Sequence, residues 1–441
     1  MSPSPPPKVV VIGAGIGGLA LAVALRSRGF CVEVYEKARD LQPIGAALGL
    51  FPNGLAALGA VSETVLAKVR KSAIQSTRMI IRHAKTAEVI TERNEAEKKD
   101  QPGTVQPLLL VWYLLQQFLY EELSPTSVHL AHEFVRYESE KDGGLRVVLR
   151  RRDGGEVIVG ADCLVGVDGI HSAVRRQMFG EAELRFHSKM MFRAVIETDK
   201  IQPPEVVPPR GTQLAFQAES PGKLFAFRET AAGLLTVTAM DRFEVPDVLG
   251  PQHEGESSSS IALRRKERLK QLFGDFADPV PQLVDCIPPS ALHETGVWDI
   301  QVLPHWVSAS TDDSSKGPFP VVLMGDAAHA MTPGLGQGAN MALEDAITLA
   351  RCLSVSREPG VGVHRALTFF EGLRRDRVVK VHGASQARTA EVNKTTAANR
   401  GERIFPSQDD EWRAFVYGFV VPEEKEILGL LQREGSGTCE R

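Results

Sequence analysis

The chain has 441 residues, 24% of them charged, and a formal net charge of -4 at pH 7. That length is enough for two domains with sizeable cores, and the near-balanced charge gives no reason to expect nucleic acid as a partner. No run reaches the roughly 18 apolar residues of a membrane span, and the five cysteines (31, 163, 286, 352 and 439) are scattered without a C-x-x-C pair, which reads as reduced packing residues and excludes a disulfide framework or a metal site.

Residues 1–7 are proline-rich and lack the apolar stretch of a secretory signal, so they read as a disordered tail on an intracellular, cytoplasmic protein. Val9–Ile12 is a short apolar run rich in β-branched residues, as expected of a buried parallel strand. Gly13, Gly15 and Gly18 follow as G-x-G-x-x-G, then a helix with Leu19, Leu21, Ala22 and Leu25 that ends near Gly29. A second strand, Cys31 to Tyr35, ends in Glu36. Glycines allow a tight turn and close approach to a pyrophosphate, which the helix N-terminus favours through its free amides. An acid after the second strand suits a ribose diol. With strand, helix, strand and acid in register, a dinucleotide site is predicted here. The pattern does not separate NAD from FAD.

Residues 91–104 are polar and predict an exposed excursion. Leu108 to Leu123 carries an apolar stripe through Trp112, Leu115 and Leu119, which predicts a helix. Val128 to Val159 reads as strands, with a hairpin at Asp153-Gly154-Gly155. A second hairpin-rich block spans Met191 to Asp241. Gly250 to Ser260 reads as a connector, and Ser308 to Pro318 as a polar loop before the strand Val321–Met324. There an acid ends an apolar run, in Gly325-Asp326, followed by a Pro/Gly loop and a helix start near Gly338. The chain from about Thr368 reads as helical and charged. There is no internal repeat.

Three segments in this order carry a resemblance. They are the N-terminal fingerprint, Asp162 through Arg175 with Asp168-Gly169 at its centre, and Gly325-Asp326 through Pro333 and Gly338. Gly45-Ala46-Ala47-Leu48-Gly49-Leu50 is a fourth, shorter match. Together the chain resembles the class A flavin-dependent monooxygenases, the group containing 4-hydroxybenzoate and salicylate hydroxylases. The resemblance covers most of the chain. It implies an α/β fold: a Rossmann-like FAD-binding domain, interleaved with a mostly antiparallel sheet over the active site, and a C-terminal helical segment. It divides the chain into a cofactor domain of 8–75, 105–185 and 290–367, a substrate domain of 76–104 and 186–289, and a helical region of 368–441.

The resemblance also implies roles. FAD would be held by Gly13, Gly15, Gly18, Glu36, Lys37 and Ala47, with Asp168 and Gly169 near the pyrophosphate and Asp326 on a ribityl or ribose hydroxyl. Pro333 through Gly338, including Gly336, would run beside the isoalloxazine, and Asn340 would join the cofactor site. The helix after Gly338 would turn its positive end to the flavin pyrimidine ring. The Asp168 motif is linked in the family to NAD(P)H, which needs no separate domain. The implied activity uses NAD(P)H and O₂ to hydroxylate an aromatic, phenolic or polyketide-like ring through a flavin C4a-hydroperoxide. The protein's share is to position the acceptor and exclude water. Epoxidation of an isoprenoid or polyketide double bond is the alternative chemistry.

Arg193 sits where relatives carry a polar group over the ring, and its guanidinium suits a carboxylate or phenolate. A surface arginine on a strand is the competing reading. Arg228 is the weaker candidate. His171 and His329 read as backbone-satisfying groups, Met178, Met190 and Met191 as core or pocket lining, and Arg150–Arg152 and Arg374-Arg375 as solvated basic runs. Relatives commonly place an FAD-holding arginine where this chain has Trp112. Either FAD is held weakly, or another arginine substitutes, or Trp112 is plain core. A halogenase would show W-x-W-x-I-P, and Val297-Trp298-Asp299-Ile300 lacks the tryptophan pair. A dehydrogenase explains the first signature and leaves Gly325-Asp326 unexplained. A flavin-binding protein without oxygenase activity is the reading from another class. Substrate and oligomeric state are not legible.

Overall fold

The opening strand Lys8–Ile12 pairs in parallel with Cys31–Tyr35 on one side and Cys163–Gly166 on the other. The computed structural model describes residues 6–41, 47–94, 107–139, 144–248, 256–308, 319–399 and 410–435. Val321–Leu323 and Val128–His129 extend the parallel sheet to five strands, ordered 321–323, 163–166, 8–12, 31–35, 128–129. Its central strands are near-continuous apolar runs because they are covered on both faces: helices and the three-stranded antiparallel sheet of His132–Ser139, Leu145–Arg151 and Glu156–Ala161 share its core, the latter through Phe134, Val147 and Leu149. Helix Ile16–Arg26 shows this: all ten residues from Ile16 to Leu25 are buried, against the sheet and the helix Gly338–Val355.

A second sheet of seven strands runs in the order 293–300, 184–197, 234–242, 224–231, 212–217, 78–83, 89–94. All its pairs are antiparallel except 212–217 with 78–83. Strand alternation splits its two faces. Met190, Phe192 and Ala194 point into an apolar core with Phe225, Phe227 and Phe273 of the helix Ser258–Phe273. Lys189, Met191 and Arg193 point the other way, toward the cofactor layer.

Several expectations need correction. Leu108–Val111 is a strand, paired with Ala47–Leu50 and Ile74–Gln75, and the helix starts only at Trp112. Four consecutive apolar residues fit a buried strand, and the helical stripe continued into them by coincidence of spacing. Of the expected connector 250–260, residues 250–255 lie outside the described residues. Ser257 instead caps the helix Ser258–Phe273, its hydroxyl accepting from the Ser260 amide at 3.1 Å. A serine run reads as linker, yet its first member is a good N-cap. The excursion at 91–104 begins as an edge strand, Val89–Asn94, and 95–104 lie outside the described residues, as do 1–5, 45–46, 309–318 and Cys439. Strand His293–Ile300 pairs in the seven-stranded sheet, although a boundary at 290 put it with the cofactor layer. The late helix starts at Val363 and runs to Asn393.

Candidate functional site: two clefts joined by one helix

The glycine turn is built for close approach. Gly13 has φ +112°, and a Cβ there would lie 2.4 Å from the Val167 carbonyl oxygen. At Gly18 it would lie 2.0 Å from the Gly13 oxygen. At Gly15 it would meet nothing within 4 Å, so this glycine faces open space that a ligand can fill. Gln116 stiffens the turn from below, donating to the Ala14 carbonyl at 2.7 Å. Gly13, Gly15, Glu36, Lys37, Asp168 and Gly169 line one cleft of about 430 Å³. Glu36 accepts from the Ala14 and Ala38 amides at 2.9 and 2.8 Å, which fixes the carboxylate with lone pairs to spare for a diol. Asp168 accepts from the Ala173 and Val174 amides at 2.7 and 3.2 Å, capping the helix Ala173–Phe179. His171 and Arg176 stand at the same cleft.

A second cleft of about 480 Å³ lies between the seven-stranded sheet and the loop 333–336. Ala47, Pro333 and Gly336 border it on one side, and Lys189, Met191, Arg193, Arg228, Thr238 and Met240 on the other. Among the described residues lining it, three are cations and none is an acid. Arg193 Nε is buried without a hydrogen-bond partner, and burial pushes its guanidinium below the usual pKa. Arg228 donates to Gln213 Oε1 at 2.6 Å, and burial pushes it down to about 10. A desolvated cation without a counter-charge is costly, and an anionic ligand would relieve it. Lys189 was missed in the sequence. Only the strand register, which puts positions 189, 191 and 193 on one face, could have found it.

Asp326 opens the short helix Asp326–His329 at the end of strand Val321–Leu323. Its carboxylate makes no hydrogen bond among the described residues. It is exposed to water, and desolvation by the protein packed around it raises its pKa, with the nearby His329 acting the other way. It is a free acceptor for a hydroxyl. The loop after it is clasped by hydroxyls of the helix Val363–Asn393: Ser385 donates to the Thr332 carbonyl at 2.6 Å, and Thr389 to the Thr332 hydroxyl at 2.8 Å. Gly338 starts the helix Gly338–Val355, whose N-cap residue Gln337 makes no side-chain hydrogen bond to its first turn. Asn340 donates to the Gly49 and Gly336 carbonyls at 3.0 and 2.9 Å and accepts from the Phe51 amide at 3.0 Å. Its amide is therefore spent on fastening the cleft walls together.

Beneath this helix lies an ion network that the sequence reading took for a solvated face. Glu344, Asp345 and Arg374 are fully buried. Arg374 donates to Asp345 Oδ1 at 2.8 Å and Glu344 Oε2 at 2.6 Å. Asp345 also accepts from the Gly325 amide at 3.0 Å and pairs with His329 Nε2 at 2.7 Å. His329 thus meets a carboxylate, where a backbone partner was expected. Asn53 donates to Glu344 at 2.7 Å. The network locks the turn before Asp326 to the helix that follows it.

A parallel α/β layer with a phosphate-suited glycine turn, and a second cleft under the seven-stranded sheet, are the features of a dinucleotide-binding protein. The chain belongs to the FAD binding domain family, which matches residues 7–381, and its cofactor is FAD. It is 28% identical over 377 residues to the FAD-dependent urate hydroxylase of Klebsiella pneumoniae, covering 84% of this chain and 86% of that protein. It is 29% identical over 418 residues to the 3-amino-4-hydroxybenzoate 2-monooxygenase of Streptomyces cremeus, covering 93% and 95%. Its fold matches Klebsiella pneumoniae HpxO complexed with FAD and uric acid at a TM-score of 0.70 and 24% identity, covering 98% and 97%. The resemblance to class A flavin-dependent aromatic hydroxylases therefore stands.

Proposed function

We propose that this protein is an FAD-dependent monooxygenase that uses NAD(P)H and O₂ to hydroxylate a small aromatic or heteroaromatic molecule bearing an anionic group. One observation supports the anionic substrate above all: Arg193, with no hydrogen-bond partner for its buried Nε, stands with Arg228 in an acid-free cleft beside Pro333 and Gly336. The hydroxylases to which the chain is similar support the reaction class.

Bound FAD supplies the redox and oxygen chemistry. Gly15 and Glu36 would hold the adenosine half, Pro333 and Gly336 would border the ring system, and Asp326 would accept from a sugar or ribityl hydroxyl. Arg193 and Arg228 would bind and orient the substrate anion and stabilise negative charge on a phenolate ring, which is the form richer in electrons. Met191 and Met240, which line the second cleft, would help keep water from it. The cofactor layer takes 8–75, 105–185 and 290–367, except that strand His293–Ile300 serves the substrate sheet. Among the described residues no helix is long and apolar enough to cross a membrane, and the four described cysteines are free, in keeping with a cytoplasmic enzyme.

The test is a screen of urate, 3-amino-4-hydroxybenzoate, 4-hydroxybenzoate and salicylate with FAD-loaded protein. NAD(P)H consumption should rise with at least one anionic ring compound, with product gaining one oxygen atom by mass. Equal stimulation by neutral and anionic rings would sink the anion site. Flavin binding without any oxygenated product would favour the inert binder.

A further inference from the structure

We propose that Tyr417, in the helix Asp410–Tyr417, is a positioning residue for the flavin ring, acting through Phe51. The inference rests on the reading that the ring system occupies the cleft beside Pro333 and Gly336.

Phe51 lines that cleft. Its backbone amide is tied to Asn340 Oδ1. Its ring lies over two glycines at the cleft wall: a Cβ on Gly49 or on Gly336 would come within 3.3 Å of the ring's Cε2. Both glycines therefore leave space that this ring uses. The ring of Tyr417 stacks on Phe51, with centroids 5.4 Å apart and planes 10° from parallel. Phe51 thus touches the glycine backbone at the cleft wall through its ring edge and an aromatic plate from late in the chain through its face. An aromatic ring in such a stack has few rotamers open to it.

Tyr417 is itself firmly placed. Its neighbour Val416 is 1% exposed in the main core. Arg377 donates to the carbonyls of Phe415 and Val416, the latter at 2.7 Å. The same guanidinium grips Glu344 with bonds of 2.7 and 2.8 Å. Glu344 belongs to the network that fixes Gly325 and the flavin-side helix. Arg374 and Arg377 also stand over the ring of Phe419, at 5.0 and 4.7 Å. The buried ions and the Phe51–Tyr417 stack therefore reach the same cleft by two routes. One sets the helix Gly338–Val355, and the other sets the ring packed against Gly336.

The experiment titrates the full chain with FAD, by calorimetry and by the visible flavin spectrum, for wild type, Tyr417→Ala, Tyr417→Leu, Tyr417→Phe and Leu269→Ala, the last in the core on the other face of the seven-stranded sheet. Tyr417→Ala and Tyr417→Leu should raise the FAD Kd about five- to tenfold, the size expected for one lost aromatic pair. Both should also shift the bound-flavin spectrum. Tyr417→Phe should restore wild-type affinity to within about twofold. Leu269→Ala should lower the Tm and leave the FAD Kd unchanged. The proposal is overturned if Tyr417→Ala and Tyr417→Leu bind FAD as wild type does, if Tyr417→Phe is as weak as Tyr417→Ala, or if Leu269→Ala weakens FAD equally. Wild-type protein that binds no FAD would instead overturn the functional reading on which this one rests.

Discussion

Arg193 carries the substrate argument at the scale of single residues. A charge-assisted hydrogen bond contributes about 1.5–3 kcal/mol, so Arg193→Ala should weaken an anionic aromatic ligand about ten- to hundredfold. Bound-flavin absorbance reports this directly, and an unchanged Kd would remove Arg193 from the site. Arg228 adds a pH dependence. It is cationic below about 10, so anion affinity should be level through neutral pH and fall as pH rises past that value. Asp326→Ala should lose bound FAD, and full flavin content after gel filtration would show its role to be wrong. Asp345 is a different kind of residue. Burial alone would raise its pKa, but the charges of His329 and Arg374 outweigh that and hold the carboxyl well below the usual range. Its folded pKa lies below the unfolded value. It therefore stabilises the fold above about pH 4, and that contribution is lost as pH falls below it. Asp345→Asn leaves Arg374 with Glu344 as its remaining carboxylate and removes one charged bond from the network, which should cost about 1.5–3 kcal/mol. Urea unfolding at pH 7 measures it, and a loss under about 1 kcal/mol, the size of a surface pair, would mean the network is dispensable. Trp112 is half-buried at the first turn of its helix and packs on the main core. If the family's arginine is missing in function as well as in sequence, Trp112→Arg should tighten FAD binding by about 1.5–3 kcal/mol. Equal or weaker binding would leave Trp112 as a core residue.

At the scale of elements, the cleft depends on how closely helices approach. A Cβ on Gly54 would lie 1.9 Å from Asn340 Oδ1, in the bond that ties Phe51 to the flavin-side helix. Gly54→Ala should therefore cost about 1–3 kcal/mol of overpacking and weaken FAD as well, read together by thermal melts with and without FAD. A stabilised variant would show that the clasp is loose. These elements also show what a sequence can tell. The strand–glycine–helix–strand–acid unit was legible because each of its parts has a local cause: β-branched runs, positive-φ glycine and a strand-end acid. Gly325-Asp326 was legible for the same reason. Leu108–Val111 was misread because four apolar residues satisfy a strand and a helix equally, and only its partners at 47–50 and 74–75 decide. The helix Ser258–Phe273 was half hidden by its serine cap. Arg374 looked like surface because a short basic run such as Arg374-Arg375 in a charged helix usually is. Its burial depends on two acids on another helix, and that pairing has no local signature.

On the scale of the whole molecule, the proposed function assigns two clefts from separate parts of the chain to one cofactor. The glycine turn lines one and the Pro333–Gly336 loop the other, while a seven-stranded sheet brings cations over the second cleft. The substrate chamber was the least legible part. Lys189, Arg193, Arg228 and Thr389 come from three elements, and nothing in their own neighbourhoods says they converge. The region from about Thr368 was expected to be helical and charged, and its described residues are mostly helical, but the contact of Tyr417 with Phe51 joins residues far apart in the chain. The measurement that bears most directly on this account is the stoichiometry of FAD retained after incubation and gel filtration, read from the visible spectrum. One flavin per chain, with a yellow protein peak, is the predicted result; a well-folded, colourless protein that releases no heat on titration with excess FAD would contradict it.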